Sequence, residues 1–450
     1  MSILKTITGK YRRFKLSLSP QQNLFYGFLT YIVTGTLLLS LPWLQKVSVP
    51  ILDNLFIATS AVSTTGLVTV SVFDSYNFFG QFVVMVLFQL GGIGYLTFTT
   101  FMLLSTTRRM THWHQRILKT EFTLPKTIKI QDFLASVIIF TLVMEILGVI
   151  LFLIAFRAEG MPWAQAIWAS IFHSVSAFCT AGFSLFNSSF VDYSDNVLIN
   201  TTISVLAITG SMGFIVVTDF VQRIKKKGHK LSFTTKIIGY GFLILLCFGF
   251  IFFYVYEPNI SQLEGQERFL AAFFQSMTAM TTVGFNTADF GAFLLPILLV
   301  TIFLMYIGAS PSGTAGGMKI TTLTAVFAIM KSRIKNSKKI TFLGRSIPYE
   351  RLYIATSSFI FYTSLIALGT FLLTFSEDFE FEKVMFEVAS ALGTVGLSTG
   401  ITGELTGFGK IVIIVLMFIG RLGVLTFGLA IWAKYKEDDD VEAIKDDLAV

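Results

Sequence analysis

One eleven-residue pattern, written four times into the chain, limits its architecture more than any other feature. It reads Phe-Ile-Ala-Thr-Ser-Ala-Val-Ser-Thr-Thr-Gly at 56–66 and Phe-His-Ser-Val-Ser-Ala-Phe-Cys-Thr-Ala-Gly at 172–182. It returns as Phe-Gln-Ser-Met-Thr-Ala-Met-Thr-Thr-Val-Gly at 274–284 and Phe-Glu-Val-Ala-Ser-Ala-Leu-Gly-Thr-Val-Gly at 386–396. Phe leads each copy, Ser or Thr follows four residues on, and Ala, Thr and Gly keep fixed register. Self-similarity at a long period signals one structural unit repeated. Each copy sits between two long apolar runs and is itself too short to cross a hydrocarbon core about 30 Å thick.

The runs occupy 24–41, 78–104, 133–156, 198–220, 237–256, 293–330 (interrupted), 352–375 and 411–433. With 54% hydrophobic and only 14% charged residues, the chain lies far from the roughly 25% charged composition of a soluble domain. The expected fold is an all-α polytopic membrane protein. Four repeated membrane–pore–membrane units, with eight transmembrane spans and four re-entrant pore helices, surround one ion pathway. The units fall at 22–105, 131–222, 234–334 and 350–434, between an N-terminal arm (1–21) and an acidic tail (435–450).

Charge sets the orientation. Lys5, Lys10, Arg12, Arg13 and Lys15 precede the first run, and basic clusters follow at 108–129, 223–236 and 331–351. The other side carries few basic residues, so both termini and these loops are expected on the cytoplasmic side of the membrane. No small-residue cleavage site follows the first run, which reads as a retained helix. The same bias explains the net charge of +7 without nucleic acid as a partner. The opposite side is acidic, with Asp53, Asp74, Glu257, Asp289 and Glu377 among its carboxylates. An acidic mouth concentrates cations, although any exterior loop also needs polar residues. Cys179 and Cys247 fit no disulfide or zinc spacing. His112 and His114 have no carboxylate at ligand spacing, so an enzyme is not expected.

An alkali cation sheds water only where several oxygens replace it together, and rings of main-chain carbonyls do this. Four stretches are candidates: Val62, Ser63, Thr64, Thr65 and Gly66; Phe178, Cys179, Thr180, Ala181 and Gly182; Met280, Thr281, Thr282, Val283 and Gly284; and Leu392, Gly393, Thr394, Val395 and Gly396. They are expected to be extended, with glycine permitting angles that turn carbonyls inward. An alkali cation held by these carbonyls is the implied cargo. Glycines 91, 92, 94, 210 and 213 instead read as helix-packing residues.

The sixth run breaks at Gly308, Ala309, Ser310, Pro311, Ser312, Gly313, Thr314, Ala315, Gly316 and Gly317, ahead of Met318 and Lys319. Irregular backbone at membrane depth survives where it lines a cavity, and beneath a filter it reads as a movable constriction, with a rigid helical kink as the alternative. Lys319 either repels cations in the path or snorkels to the surface. Arg421, inside the last run, is expected to face the cavity and anchor the broken segment through carbonyls. Glu145 admits three readings: a polar partner to the pathway, a lipid-side proton carrier or an interface residue.

The four Thr–x–Gly segments make the chain similar to the Trk/Ktr/HKT superfamily of potassium and sodium transporters, and to its Ktr-type membrane subunits in particular. That resemblance covers nearly the whole chain. It implies filter glycines at Gly66, Gly182, Gly284 and Gly396, an intramembrane gating loop at 308–319, and Arg421 as its counterpart. Glycine rather than serine at position 66 implies potassium preference. The resemblance further implies a homodimer on cytoplasmic nucleotide-binding regulatory subunits of the KtrA type. No glycine-rich nucleotide fingerprint occurs here, so no cofactor is expected on this chain. Sodium-conducting or sodium-coupled potassium transport is the competing expectation.

Overall fold

The computed structural model describes residues 18–94, 130–225, 230–308, 310–337 and 339–432. The expected basic arm, the whole basic loop at 108–129, His112, His114, His229, Ala309 and the acidic tail lie outside them.

The chain runs four times through a helix, a shorter helix, a loop and a second helix. The first copy comprises α1 (Pro20–Leu39), α2 (Ile51–Val62) and α3 (Phe78–Ile93). The second comprises α4 (Ile130–Ala158), α5 (Trp163–Phe178), α6 (Val197–Ser211) and α7 (Phe214–Lys225). The third comprises α8 (Phe233–Tyr256), α9 (Gly265–Thr281), α10 (Leu295–Tyr306) and α11 (Ile320–Ile334). The fourth comprises α12 (Tyr349–Ser376), α13 (Phe381–Gly393), α14 (Gly407–Leu422) and α15 (Val424–Trp432). A two-stranded hairpin pairing Thr341 with Ser346 bridges α11 and α12.

Local chemistry fixes where these helices start. Ser19 and Gln22 form a capping box on α1, and Asn77, Asn196, Ser232 and Thr406 each accept an orphan N–H at the start of α3, α6, α8 and α14. Such caps contribute about 1 kcal/mol each. Pro50, Pro162 and Pro348 precede α2, α5 and α12, where extended backbone suits them.

Among the described residues, three helices are each long and apolar enough to cross a membrane: α4 over Leu134–Ala158, α8 and α12, with mean hydropathies of 3.0, 2.3 and 1.8. Their most apolar stretches are only 28%, 33% and 28% buried within the protein. So much apolar surface on the outside requires lipid as its solvent. The fold is therefore a mostly helical membrane fold.

The second helices depart from expectation. The run at 198–220 reads as one span, yet α6 and α7 meet at 95°, and α14 and α15 meet at 99°. Gly213 (φ 84°) and Gly423 (φ 81°) occupy the bends, a left-handed backbone that glycine adopts without penalty. Helix α3 also ends at a left-handed glycine, Gly94 (φ 91°). Breaks therefore occur in the second, third and fourth copies, whereas the sequence pointed to the third alone. Gly91 and Gly210 do pack closely: a methyl there would land on the carbonyl oxygens of Val62 and Phe178.

The last copy closes against the first. Lys410 at the start of α14 bonds Asp53 of α2 at 2.6 Å, with side chains only 15% and 9% exposed. Two charges this secluded are tolerable because they are paired.

Candidate functional site

The four pattern glycines meet. A methyl built on Gly66 would lie 2.5 Å from Ala181 O and 3.1 Å from the Cα of Gly182. On Gly182 it would lie 2.5 Å from Val283 O and 3.2 Å from the Cα of Gly284. On Gly284 it would strike Val395 O beside Gly396, and on Gly396 it would strike Thr65 O beside Gly66. The sequence 66, 182, 284, 396 and back to 66 is a closed ring, with the carbonyl oxygens of Thr65, Ala181, Val283 and Val395 at its four joints. No side chain larger than hydrogen fits there.

The pattern shows how the ring is held. Thr65, Ala181, Val283 and Val395 donate their N–H groups to the carbonyls of Ser60, Ser176, Thr278 and Ser390 at 2.8, 2.8, 3.3 and 2.8 Å. The hydroxyls at that same position work in two ways. Ser60 and Ser390 accept from Gly66 N and Gly396 N at 3.1 Å. Ser176 and Thr278 instead donate to Phe183 O and Phe285 O at 2.9 and 2.6 Å. The recurring Ser or Thr is thus a tether between short helix and glycine.

The stretches are not extended throughout. Val62, Phe178, Met280, Thr281, Leu392 and Gly393 still belong to their helices. Thr64, Thr180, Thr282 and Thr394 then turn left-handed, at φ 53°, 50°, 55° and 48°. β-Branched residues adopt that region rarely, so its recurrence in all four copies reflects a demand of the ring. The carbonyls of Val62, Phe178 and Leu392 face Gly91, Gly210 and Gly420 of the second helices, and Cys179 Sγ donates to Gln89 Oε1 at 3.0 Å.

On one side the ring opens into a cavity of about 390 Å³, lined by all four glycines and by Asn187, Asn286, Asp289, Ser398 and Thr402. Asp289 is its sole lining carboxylate among the described residues. Other acidic residues expected at a mouth serve the fold: Glu257 accepts from Leu294 N at 3.2 Å and Glu377 from Thr406 N at 3.0 Å, while Asp53 pairs with Lys410. In the loop after α5, burial and then the carboxylates of Glu159 and Asp192 push the Tyr193 phenol up from its ordinary value.

On the other side the broken segment covers the ring. Thr314 Oγ1 lies 3.1 Å from Thr180 Oγ1 and donates to Phe178 O. Gly316 N donates to Thr282 Oγ1 at 3.1 Å, and a methyl on Gly316 would strike Thr394 Oγ1. Arg421 completes the cover, donating to Thr64 Oγ1 at 3.1 Å, to Thr314 O, and to Gly91 O and Gly92 O. All four threonines are touched. Lys319 Nζ bonds Ala315 O and Gly316 O at 2.6 and 2.8 Å, so it braces the segment from within. Below lies a cavity of about 210 Å³ that includes Gly92, Gly316, Lys319 and Arg421 in its wall.

Residues 19–442 match the family described as TrkH, cation transport protein. The chain belongs to the TrkH family of cation transport proteins. It is 34% identical over 432 residues to the potassium/sodium uptake protein NtpJ of Enterococcus hirae, covering 94% of this chain and 95% of that one. It is 32% identical to the Ktr system potassium uptake protein B of Bacillus subtilis, over 95% of each chain. The same-named protein of Vibrio alginolyticus is 33% identical, over 92% of each. Among solved structures, the potassium transporter TrkH from Vibrio parahaemolyticus superposes with a TM-score of 0.68 at 21% identity, covering 90% of this chain and 84% of that one. The superfamily named by the four Thr–x–Gly segments is the right one, and it is a family of transporters.

Sequence reasoning missed several residues that the TrkH-family fold brings to the site. Thr314 was grouped with its segment, and nothing marked it as the contact to Thr180. The Asp53–Lys410 pair joins positions too distant for any local signal. Glu387 and Gln275 follow the leading Phe, where three copies carry a polar residue and the first carries Ile57. That contrast was the available signal. Among the described residues, no three His, Cys, Asp or Glu converge as metal ligands.

Proposed function

We propose that this chain is the pore-forming membrane subunit of a bacterial potassium uptake system. One observation carries the reading: four glycines from four copies of one pattern close a ring whose joints are main-chain oxygens. Eight spans and four re-entrant helices, in the four units delimited by sequence, surround that ring. Bare potassium exchanges its water for carbonyls of the stretches 62–66, 178–182, 280–284 and 392–396. Uptake is driven by the membrane potential, which supplies about 2.3 kcal/mol per charge at 100 mV. The segment 308–319 and Arg421 form the gate.

The subunit works as a homodimer, with both termini in the cytoplasm of the plasma membrane. Nucleotide-binding regulatory subunits act on the gate from that side, and no cofactor sits on this chain. Lys331, Arg333, Lys335, Arg345 and Arg351, near the α11–α12 hairpin, offer them a basic surface. A sodium-conducting or sodium-coupled form is the second reading, favoured by the likeness to the potassium/sodium uptake protein of Enterococcus hirae.

Flux through the purified protein in liposomes decides between them. Potassium and rubidium are expected to move at comparable rates, with sodium and lithium about a hundredfold slower. Equal sodium flux, or potassium flux that requires sodium, would establish the second reading instead.

A further inference from the structure

In three of the four copies, the residue directly after the leading Phe reaches the loop on the far side of the glycine. In the second copy His173 Nδ1 lies 2.8 Å from Ala169 O, while Nε2 lies 3.1 Å from Leu185 N and 3.0 Å from Ser184 Oγ. A backbone N–H can only donate, so Nε2 accepts and the hydrogen-bond pattern assigns the ring proton to Nδ1. Ser184 accepts from Phe186 N at 2.9 Å, leaving its own proton for His173.

The fourth copy repeats this scheme with a carboxyl group. Glu387 accepts from Ser398 Oγ, from Thr399 N at 3.2 Å and from Thr402 Oγ1 at 2.9 Å. Ser398 accepts from Gly400 N at 2.9 Å, as Ser184 does from Phe186. In the third copy Gln275 Nε2 donates to Thr287 Oγ1 at 2.8 Å. His173, Gln275 and Glu387 are all fully buried. The first copy has Ile57 there. Thr69, the counterpart of Thr287 and Thr399, has a buried hydroxyl without a partner among the described residues, as Thr399 does, and no side chain from position 57 reaches its loop through a hydrogen bond. Ser184, Ser398, Thr402 and Thr69 line the outer cavity.

We propose that His173, Gln275 and Glu387 are positioning residues that brace three quarters of the glycine ring and thereby set how strictly it discriminates potassium from sodium. This rests on the filter reading above. A ring excludes the smaller ion only if its oxygens resist closing around it, and each brace fixes a loop joined directly to a ring glycine. Glu387 holds its loop through three donors and so has the largest influence. The first quarter, with Ile57, is the compliant one.

The test is the potassium-to-sodium permeability ratio of the full-length protein in liposomes. Glu387→Ala removes the acceptor shared by Ser398, Thr399 and Thr402 and is expected to lower the ratio about tenfold. Glu387→Gln, which keeps an acceptor oxygen, should recover most of the loss. Thr402→Val and Ser398→Ala remove single donors from the loop, so they test the brace even if Glu387→Ala fails to fold. Each should lower the ratio by about two- to threefold. Gly396→Ser serves as the ring control. A ratio that falls in Gly396→Ser but stays at the wild-type value in the folded brace variants overturns the proposal alone. A ratio unmoved in Gly396→Ser as well overturns the filter reading with it.

Discussion

Gly66→Ser is expected to lower the potassium-to-sodium permeability ratio about a hundredfold while the protein still assembles in the membrane. Two costs converge at this position. A left-handed φ of 93° costs an L-residue about 1–2 kcal/mol. A Cβ lies 2.5 Å from Ala181 O and 3.1 Å from the Cα of Gly182, so the neighbouring backbone has to move. The atoms that move are ring oxygens. A differential loss of roughly 3 kcal/mol between the two ions corresponds to about a hundredfold. Gly160 supplies the control, since it has φ 82° but nothing within 4 Å of its Cβ position. Gly160→Ser carries the same backbone strain away from the ring and should leave the ratio at its wild-type value. Rubidium and sodium flux into liposomes measures both. Equal ratios in wild type, Gly66→Ser and Gly160→Ser would sink the filter reading.

The repeated units were legible because each is stated locally. A Phe–Ser–Ala–Thr–Gly register between apolar runs needs no partner to be recognised, and the glycines fall where four backbones crowd together. The bends at Gly213 and Gly423 were not legible. Their flanks are apolar throughout, so hydropathy reads straight across them, and a glycine that packs looks like a glycine that turns. The Thr–Gly stretches misled in a related way. Their first residues, Val62 and Phe178, belong to the short helices because the helical hydrogen bonds continue to Ser63 N and Cys179 N. Charge alone also overstated the acidic mouth. Glu257 and Glu377 share a sign with Asp289, yet their partners are backbone N–H groups at the starts of second helices, and such contacts are visible only in three dimensions. Arg421 was legible for the opposite reason, since an arginine inside an apolar run needs acceptors and the broken segment was the nearest supply.

Arg421→Ala is expected to raise basal rubidium flux by about ten- to a hundredfold in the absence of any regulatory subunit. The side chain joins three parts that would otherwise move separately: Thr64 beside the ring, Thr314 in the covering segment, and Gly91 and Gly92 at the end of α3. A hydrogen bond from a charged donor contributes about 1.5–3 kcal/mol, and losing the one to Thr314 O shifts a closed–open equilibrium by that factor. Of the carbonyls left behind, that of Gly92 borders the lower cavity, whose wall Ala315 and Gly316 also line, so water can take over from the guanidinium there. That limits the penalty to the gate and spares the fold. Lys319 bonds only within its own segment, to Ala315 and Gly316. Lys319→Met should therefore loosen the segment internally and raise flux less than Arg421→Ala. Removing residues 309–317 takes away the cover itself and sets the upper limit of flux. If protein lacking those residues, shown to be folded in the bilayer, conducts no faster than wild type, the segment is a fixed part of the wall and the barrier lies elsewhere.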